Sequence, residues 1–165
     1  CTEQLILLYR RMQSFVQENF NYSNNLKNTL MNKYIFELNM KVRDYECDMQ
    51  GIVNNAIYQH YLEHTRHEFI TTLGINFAEL HGQGLDPVVA RISIAYKTPL
   101  HSGEEFVSKL YIEKEGVKYV FYQDIFRLSD GKPSIKSKVE LVCITNGRLG
   151  HSELFDKAFE PYFAK

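Results

Sequence analysis

Cysteine is scarce in this sequence, neither sign of charge dominates, and no long apolar run is present. The 165 residues include three cysteines, Cys1, Cys47 and Cys143, which are too few and too scattered for a disulfide framework or a zinc site. Lys and Arg total 19 and Asp and Glu total 20, a formal net charge of −1, so no electrostatic feature favours nucleic acid or an anionic membrane as a partner. The longest aliphatic run, Leu5 to Leu8, is far below the ~20 residues that cross a bilayer. We therefore expect a cytoplasmic protein without nucleic-acid or membrane partners.

The length and composition are those of one globular domain. Domains usually run about 100–200 residues, and hydrophobic residues make up 44% of this chain and charged ones 24%. Aromatic residues reach 13%, all of them Tyr or Phe, which favours strands and a large core.

The first thirty residues differ in character from the rest. Residues 1–18 have a rough helical pattern of apolar side chains, and residues 19–32 are rich in Asn, which favours turns over regular structure. We expect 1–30 to be a helical appendage and the domain, 31–165, to begin near Met31.

Hydrophobic periodicity predicts one long helix and five strands. Period-two alternation, typical of half-buried strands, occurs within 34–42, 88–96, 106–112, 117–125 and 135–143. Between the first two segments, apolar residues recur at helical spacing from Tyr58 to Leu73, with Asn54 or Asn55 as a cap and Gly74 at the end. Short connections between the later strands indicate an antiparallel sheet. The fold class is therefore α+β, with the long helix on one face of the sheet.

The loop before the long helix has the most promising chemistry. It contains Asp44, Glu46 and Asp48 and ends at Gly51. A helix amino terminus carries partial positive charge and unpaired N–H groups, so an oxyanion could be stabilised there while a carboxylate acts as base or nucleophile. Acidic residues near helix starts are also common without any ligand, and the residue pattern alone leaves both interpretations open.

Two segments carry a family resemblance. The stretch CDMQGIVNNAIYQHYLEHTRHEF resembles the signature of the 4-hydroxybenzoyl-CoA thioesterase family, which are hotdog-fold acyl-CoA thioesterases, and IAYKTPLHSGEEF resembles a strand of that family. The matching positions of the first segment are Asp48, Gly51, Val53, Asn55, Tyr58, Tyr61, Glu63 and Arg66. The resemblance covers about residues 33–148 and implies a hotdog fold, a five-stranded antiparallel sheet wrapped around one long helix.

The resemblance also implies an activity and a set of site residues. The protein would hydrolyse an acyl-CoA to free acid and CoA, with Asp48 as nucleophile or general base and without a metal or an organic cofactor. The implied substrate-binding residues shape the loop, line the helix side of the pocket or face the CoA nucleotide: Gly51, Val53, Asn55, Tyr58, Glu63 and Lys118. Subunits of the family pair edge to edge, so we expect a homodimer, or a tetramer built from dimers.

Departures from the family pattern leave alternatives open. Many relatives have His where this chain has Asn55, and Asn where it has Ile57; an Asn side chain cannot transfer a proton near neutral pH. The protein could instead be a non-catalytic acyl-CoA binding module. Another hotdog reaction, such as dehydration of a hydroxyacyl thioester, favours a His–acid pair that this loop lacks. His60 and His64 have helical ligand spacing, but we expect them on a solvated face because no HExxH motif accompanies them.

Overall fold

Residues 33–163 are described by a computed structural model. The predicted appendage, 1–30, lies outside the described residues, and residues 35–163 fall in one compact unit. Strand β1 is Phe36–Lys41, helix α1 is Ile57–Thr72 and helix α2 is Phe77–Gly82. The remaining strands and helix are β2 Leu85–Tyr96, β3 Glu105–Glu115, β4 Lys118–Arg127, β5 Pro133–Thr145, β6 Arg148–Gly150 and α3 Glu153–Phe159.

All of the strands belong to one antiparallel sheet. Its order is β1-β3-β4-β5-β2, with β6 paired to β5. The predicted five strands and the α+β class are confirmed, and the structure adds the three-residue β6. Asn146 and Gly147 connect β5 to β6 with φ values of 49° and 76°, and positive φ at both positions is what a tight two-residue hairpin requires.

Helix α1 packs its predicted apolar face against the sheet. Tyr61 and Leu62, in the first turns, lie in a buried cluster with Phe106 of β3. Phe69, two turns later, lies in a second cluster with Phe121 of β4. The predicted cap by Asn54 or Asn55 is wrong: the residue at the N-cap is Ala56, no side chain caps the first turn, and the Asn54 side chain instead accepts from the Ala56 N–H just before the helix. The sheet therefore holds α1 along its whole length.

Helix α3, which the periodicity analysis did not predict, covers the second cluster. Phe155 and Phe159 are fully buried, and the Ser152 side chain caps the helix by accepting from the backbone N–H of Phe155. The Tyr119 hydroxyl donates to Asp156 and to the carbonyl oxygen of Ser152. A capping serine followed by two phenylalanines four residues apart is the local signal that predicts such a helix.

The longest helix in the described part of the chain has 16 residues, and none there combines the length and apolar character that a bilayer crossing needs.

We predict that Phe159→Ala lowers the free energy of unfolding by about 3–5 kcal/mol, the usual cost of emptying a buried aromatic site. Its ring packs against Phe69 and Phe121 at centroid distances of 6.1 and 5.8 Å. Urea titration measures the loss. Leu154→Ala, on the exposed face of the same helix, is the control and should cost less than about 1 kcal/mol. Equal losses in the two variants would contradict the proposed packing of α3.

We also predict that the free energy of unfolding of Asp156→Asn falls less steeply than that of wild type as the pH is lowered. Burial raises the pKa of the Asp156 carboxyl, but hydrogen bonds from Lys114 and Tyr119 lower it more, so its pKa lies below the ordinary value. A depressed pKa stabilises the fold above the ordinary value of about 4, and this contribution is lost as the pH falls through the folded-state pKa. Urea unfolding of the variant measured between about pH 5 and 2 should show a smaller decrease in the free energy of unfolding than the same measurement on wild type. Glu153→Gln, an exposed acid on α3, should keep the wild-type slope.

Candidate active site

The loop between β1 and α1 is a narrow turn with Asp48 near its tip. The Asp48 N–H donates to the Ile52 carbonyl at 2.9 Å, and the Gly51 N–H donates to the Asp48 carbonyl at 3.0 Å. Gly51 has φ +75°, a conformation that L side chains rarely adopt. Cys47 and Val53 pair across the base of the turn. The backbone of Gly51 therefore shapes the tip of this loop.

Four of the predicted residues line one cleft. Asp48, Val53, Asn55 and Tyr58 surround a cavity of about 450 Å³. The other lining side chains come from the loop, from the end of β2 with the segment after it, and from β5: Gln50, Ile52, Tyr96, Lys97, Thr98, Pro99 and Ser134. The structure thus joins the two segments that carry the family resemblance at one place.

The Asp48 carboxylate is oriented by its own loop. It is partly buried, and its Oδ1 accepts a hydrogen bond from the Gln50 N–H at 2.8 Å. A carboxylate held in this way beside a cleft is suited to attack a bound electrophile or to take a proton from a water molecule.

The cleft also contacts the start of α1. The Asn54 side chain accepts from the Ala56 N–H at 3.0 Å, and the Tyr96 hydroxyl donates to the Asn55 carbonyl at 3.0 Å. Tyr96 therefore ties the end of β2 to the residues that open the helix. The helix dipole places partial positive charge at this end of α1, which borders the cleft that Asp48 also lines.

Tyr58 forms a buried wall of the cleft. Its phenol oxygen accepts from the Leu100 N–H and from the Ser134 hydroxyl, each at 3.3 Å. Its ring meets the Tyr96 ring edge-on at 5.6 Å. Sequence analysis missed Ser134, which is 76 positions from Tyr58, because no local pattern in the chain connects such distant residues.

Glu63 and Lys118, predicted to bind substrate, do not line this cleft. The Glu63 side chain is 57% exposed and lies 4.0 Å from His67. Lys118 lies at the start of β4, where its ammonium group pairs with Glu140 at 2.6 Å and lowers the pKa of that carboxyl. Glu63 follows Tyr58 by five positions, so helical geometry sets their side chains about 140° apart around the helix axis.

Arg66, another residue of the signature segment, is buried in the core. Its guanidinium donates to Gln123 Oε1 at 2.9 Å, and the Gln123 amide donates to the Leu62 carbonyl. Burial lowers the pKa of Arg66 to about 10. This residue joins α1 to β4 and does not line the cleft.

A second cavity borders the first part of the loop. It has a volume of about 770 Å³ and is lined by Arg43, Glu46, Tyr61, His60 and His64, among others. Both histidines are exposed, as expected from their place on the helix. Within residues 33–163, no group of three or more His, Cys, Asp or Glu side chains is arranged to hold a metal ion.

Glu46 is the buried acid of the loop. It is 5% exposed, and its Oε2 accepts from the Tyr61 hydroxyl at 2.6 Å and from the Arg43 N–H at 2.7 Å. Sequence analysis grouped Glu46 with the other loop acids and assigned it no separate role, because the partner that distinguishes it lies on the helix.

Comparison with known proteins identifies relatives that are thioesterases by name. ATL2 of Arabidopsis thaliana, a chloroplastic acyl-acyl carrier protein thioesterase, is 40% identical over 111 residues, which are 67% of this chain and 59% of ATL2. YneP of Bacillus subtilis (strain 168), provisionally named an acyl-CoA thioesterase, is 33% identical over 67% of this chain and 80% of its own length. The chain thus spans about three-fifths of the length of ATL2.

A solved structure supports the fold. Slr0204 of Synechocystis, a 1,4-dihydroxy-2-naphthoyl-CoA thioesterase, superposes with a TM-score of 0.70 at 14% identity, over 74% of this chain and 93% of its own. The wrapped antiparallel sheet with its central helix is therefore the expected hotdog fold.

The family profile described as the thioesterase-like superfamily matches residues 42–160, from the end of β1 through helix α3. Because this match spans most of the chain and includes both the cleft and the sheet that supports it, the chain belongs to the thioesterase-like superfamily.

Proposed function

We propose that this chain hydrolyses an acyl-CoA thioester to a free acid and CoA, with Asp48 as the reacting carboxylate. The observation that carries the proposal is the position of Asp48, which lines a cleft together with Asn55 and Tyr58 at the start of α1. Membership of a thioesterase family supports the reaction class.

Two routes are compatible with this position. As a nucleophile, Asp48 forms a bond to the thioester carbonyl carbon, the CoA thiolate leaves and is protonated, and water then hydrolyses the mixed anhydride. As a general base, Asp48 removes a proton from a water molecule that attacks the same carbon. In both routes negative charge develops on the carbonyl oxygen, and one backbone N–H directed at it contributes about 3–4 kcal/mol to the transition state.

The walls of the cleft suit an acyl group. Apolar surface in the cleft comes from Ile52, Val53, Pro99 and the rings of Tyr58 and Tyr96. The carrier is proposed to be CoA. Acyl carrier protein is the second candidate, because ATL2 is named for that substrate and is 40% identical to this chain.

We further propose that two copies pair through β2. Within the described sheet, β2 is hydrogen-bonded on one side, to β5, and Val88 and Val89 are 37% and 43% exposed on it. A long edge strand with exposed apolar residues is a template for pairing with another chain. Since Tyr96 ends this strand, the partner would lie near the cleft, where Glu63 and Lys118 of one chain could serve the site of the other.

We predict that Asp48→Asn, which keeps the size of the side chain and removes its charge, loses most of the activity. We expect kcat for thiol release from acyl-CoAs to fall by about 100-fold or more, because the Asn carboxamide can act neither as a nucleophile nor as a base at this position. Asp44→Asn, an exposed acid of the same loop, is the matched control and should retain wild-type turnover. Comparing wild-type kcat/KM for the same acyl groups on CoA and on acyl carrier protein would identify the preferred carrier.

Two results would overturn this proposal. If Asp48→Asn retains wild-type activity, the Asp48 carboxylate is not the reacting group. A folded wild type that hydrolyses no thioester but binds acyl-CoA in a calorimetric titration would support the binding-module alternative.

We also predict that Val89→Asp separates the proposed dimer. If β2 is the dimer edge, opposed carboxylates at this strand should shift sedimentation from the mass of two chains to that of one. Leu149→Asp on β6, an exposed leucine at 62%, provides the control and should remain dimeric. A dimer that persists in Val89→Asp places the interface elsewhere.

A further inference from the structure

We propose that Glu46 and Tyr61 are a positioning pair that holds the Asp48 loop against helix α1. The inference rests on the proposed role of Asp48 as the reacting carboxylate. Neither member lines the cleft that contains Asp48, so the pair would act through the loop and not on the substrate.

Glu46 is bonded to three parts of the chain at once. Its side chain accepts from the Tyr61 hydroxyl on the second turn of α1 and from the Arg43 N–H where the loop begins. Its carbonyl oxygen accepts from the Asn54 N–H at 2.9 Å, where the loop ends. One residue therefore connects both ends of the loop to the helix, two positions before Asp48.

The other hydrogen bonds around Asp48 differ in what they connect. The Asp48–Ile52 and Gly51–Asp48 bonds join the loop to itself. They set its shape but not its placement relative to α1. Backbone bonds from Ile57 to Asn54 and from Val53 to Leu100 fix the end of the loop. The Glu46–Tyr61 bond adds a side-chain link from the part of the loop before Asp48 to the helix.

The chemistry of the pair suits a rigid link. A buried carboxylate must be hydrogen-bonded to be tolerated, and a bond from a hydroxyl to a charged oxygen is shorter and stronger than a neutral one. Burial and the neighbouring carboxylate of Glu46 raise the pKa of Tyr61 well above its ordinary value, so its hydroxyl stays a donor throughout the working pH range. The Tyr61 ring is also held, at 4.7 Å from the Phe106 ring.

The test removes the link while keeping the packing. Tyr61→Phe deletes the hydroxyl and retains the ring, and Glu46→Gln retains the shape with a weaker acceptor. We expect each to lower kcat by about 10- to 100-fold, the scale of a small misplacement of a reacting group. KM should stay within about threefold, and the pH midpoints of kcat should be unchanged, because Asp48 still carries out the chemistry.

Thr65→Val is the matched structural control. Thr65 lies one turn further along α1, and its hydroxyl is within hydrogen-bond distance of Ser108 of β3 at 2.8 Å and of the Tyr61 carbonyl oxygen at 2.7 Å. The variant therefore also loses buried hydrogen bonds but keeps the Tyr61 hydroxyl and its bond to Glu46. We expect a comparable loss of stability with kcat within about threefold of wild type. If Thr65→Val lowers kcat as much as Tyr61→Phe does, general destabilisation explains both losses and the proposal is overturned.

Hydrogen exchange provides a readout that needs no substrate. In Tyr61→Phe the amides of Asp48, Gly51 and Asn54 should exchange at least about tenfold faster than in wild type, while those of β3 and β4 are unchanged. Unchanged loop exchange together with unchanged kcat would refute the positioning role.

Two further outcomes separate this inference from the proposed function. If Glu46→Gln abolishes turnover as Asp48→Asn does while Tyr61→Phe leaves it intact, Glu46 takes part directly in the chemistry and the positioning role is wrong. If wild type hydrolyses no thioester but Tyr61→Phe still frees the loop, the proposed function fails while the link between loop and helix stands.

Discussion

Burial of one face of α1 against the antiparallel sheet is the constraint on which the other features depend. The helix contributes large side chains to both buried clusters, Tyr61 and Leu62 to one and Phe69 to the other. Each fully buried side chain of this size contributes about 1.5–3 kcal/mol. Because the helix packs on the sheet near both of its ends, the position of its amino terminus relative to the strands is fixed. The Asp48 loop leads directly into this terminus, so its end is fixed as well.

The cleft forms where three parts of the fold converge on the start of the helix. Tyr96, at the end of β2, donates a hydrogen bond to the Asn55 carbonyl. Ser134 of β5 donates to the Tyr58 hydroxyl oxygen, and the loop contributes Asp48. Each of these groups is held by an element that also serves the core. A site on such rigid elements can keep a carboxylate at a fixed distance from a bound carbonyl without reorganising for each turnover.

Asn55, which lines the cleft, departs from the pattern of the resembled family. Many proteins of the resembled family have a histidine at this place, and an amide can orient a carbonyl or a water but cannot carry a proton. Proton transfer in the proposed reaction therefore falls to Asp48 and water. With one carboxylate carrying the proposed chemistry, the placement of its loop matters, and the buried Glu46–Tyr61 bond is the contact that we propose holds this loop against the helix.

Local periodicity in the sequence was enough to predict the main strands, α1 and the loop that carries Asp48, since alternation and helical spacing are properties of neighbouring residues. The signature segment likewise predicted the hotdog fold and the thioesterase family. Helix α3 and β6 were missed although Ser152, the spacing of Phe155 and Phe159, and Asn146-Gly147 are local signals for them. Only the tertiary structure showed that Ser134 meets Tyr58, that Glu46 meets Tyr61, and that Glu63 and Lys118 lie outside the cleft of their own chain. These contacts join residues far apart in sequence or on different faces of one helix, and which of them meet is decided by how the helix packs on the sheet.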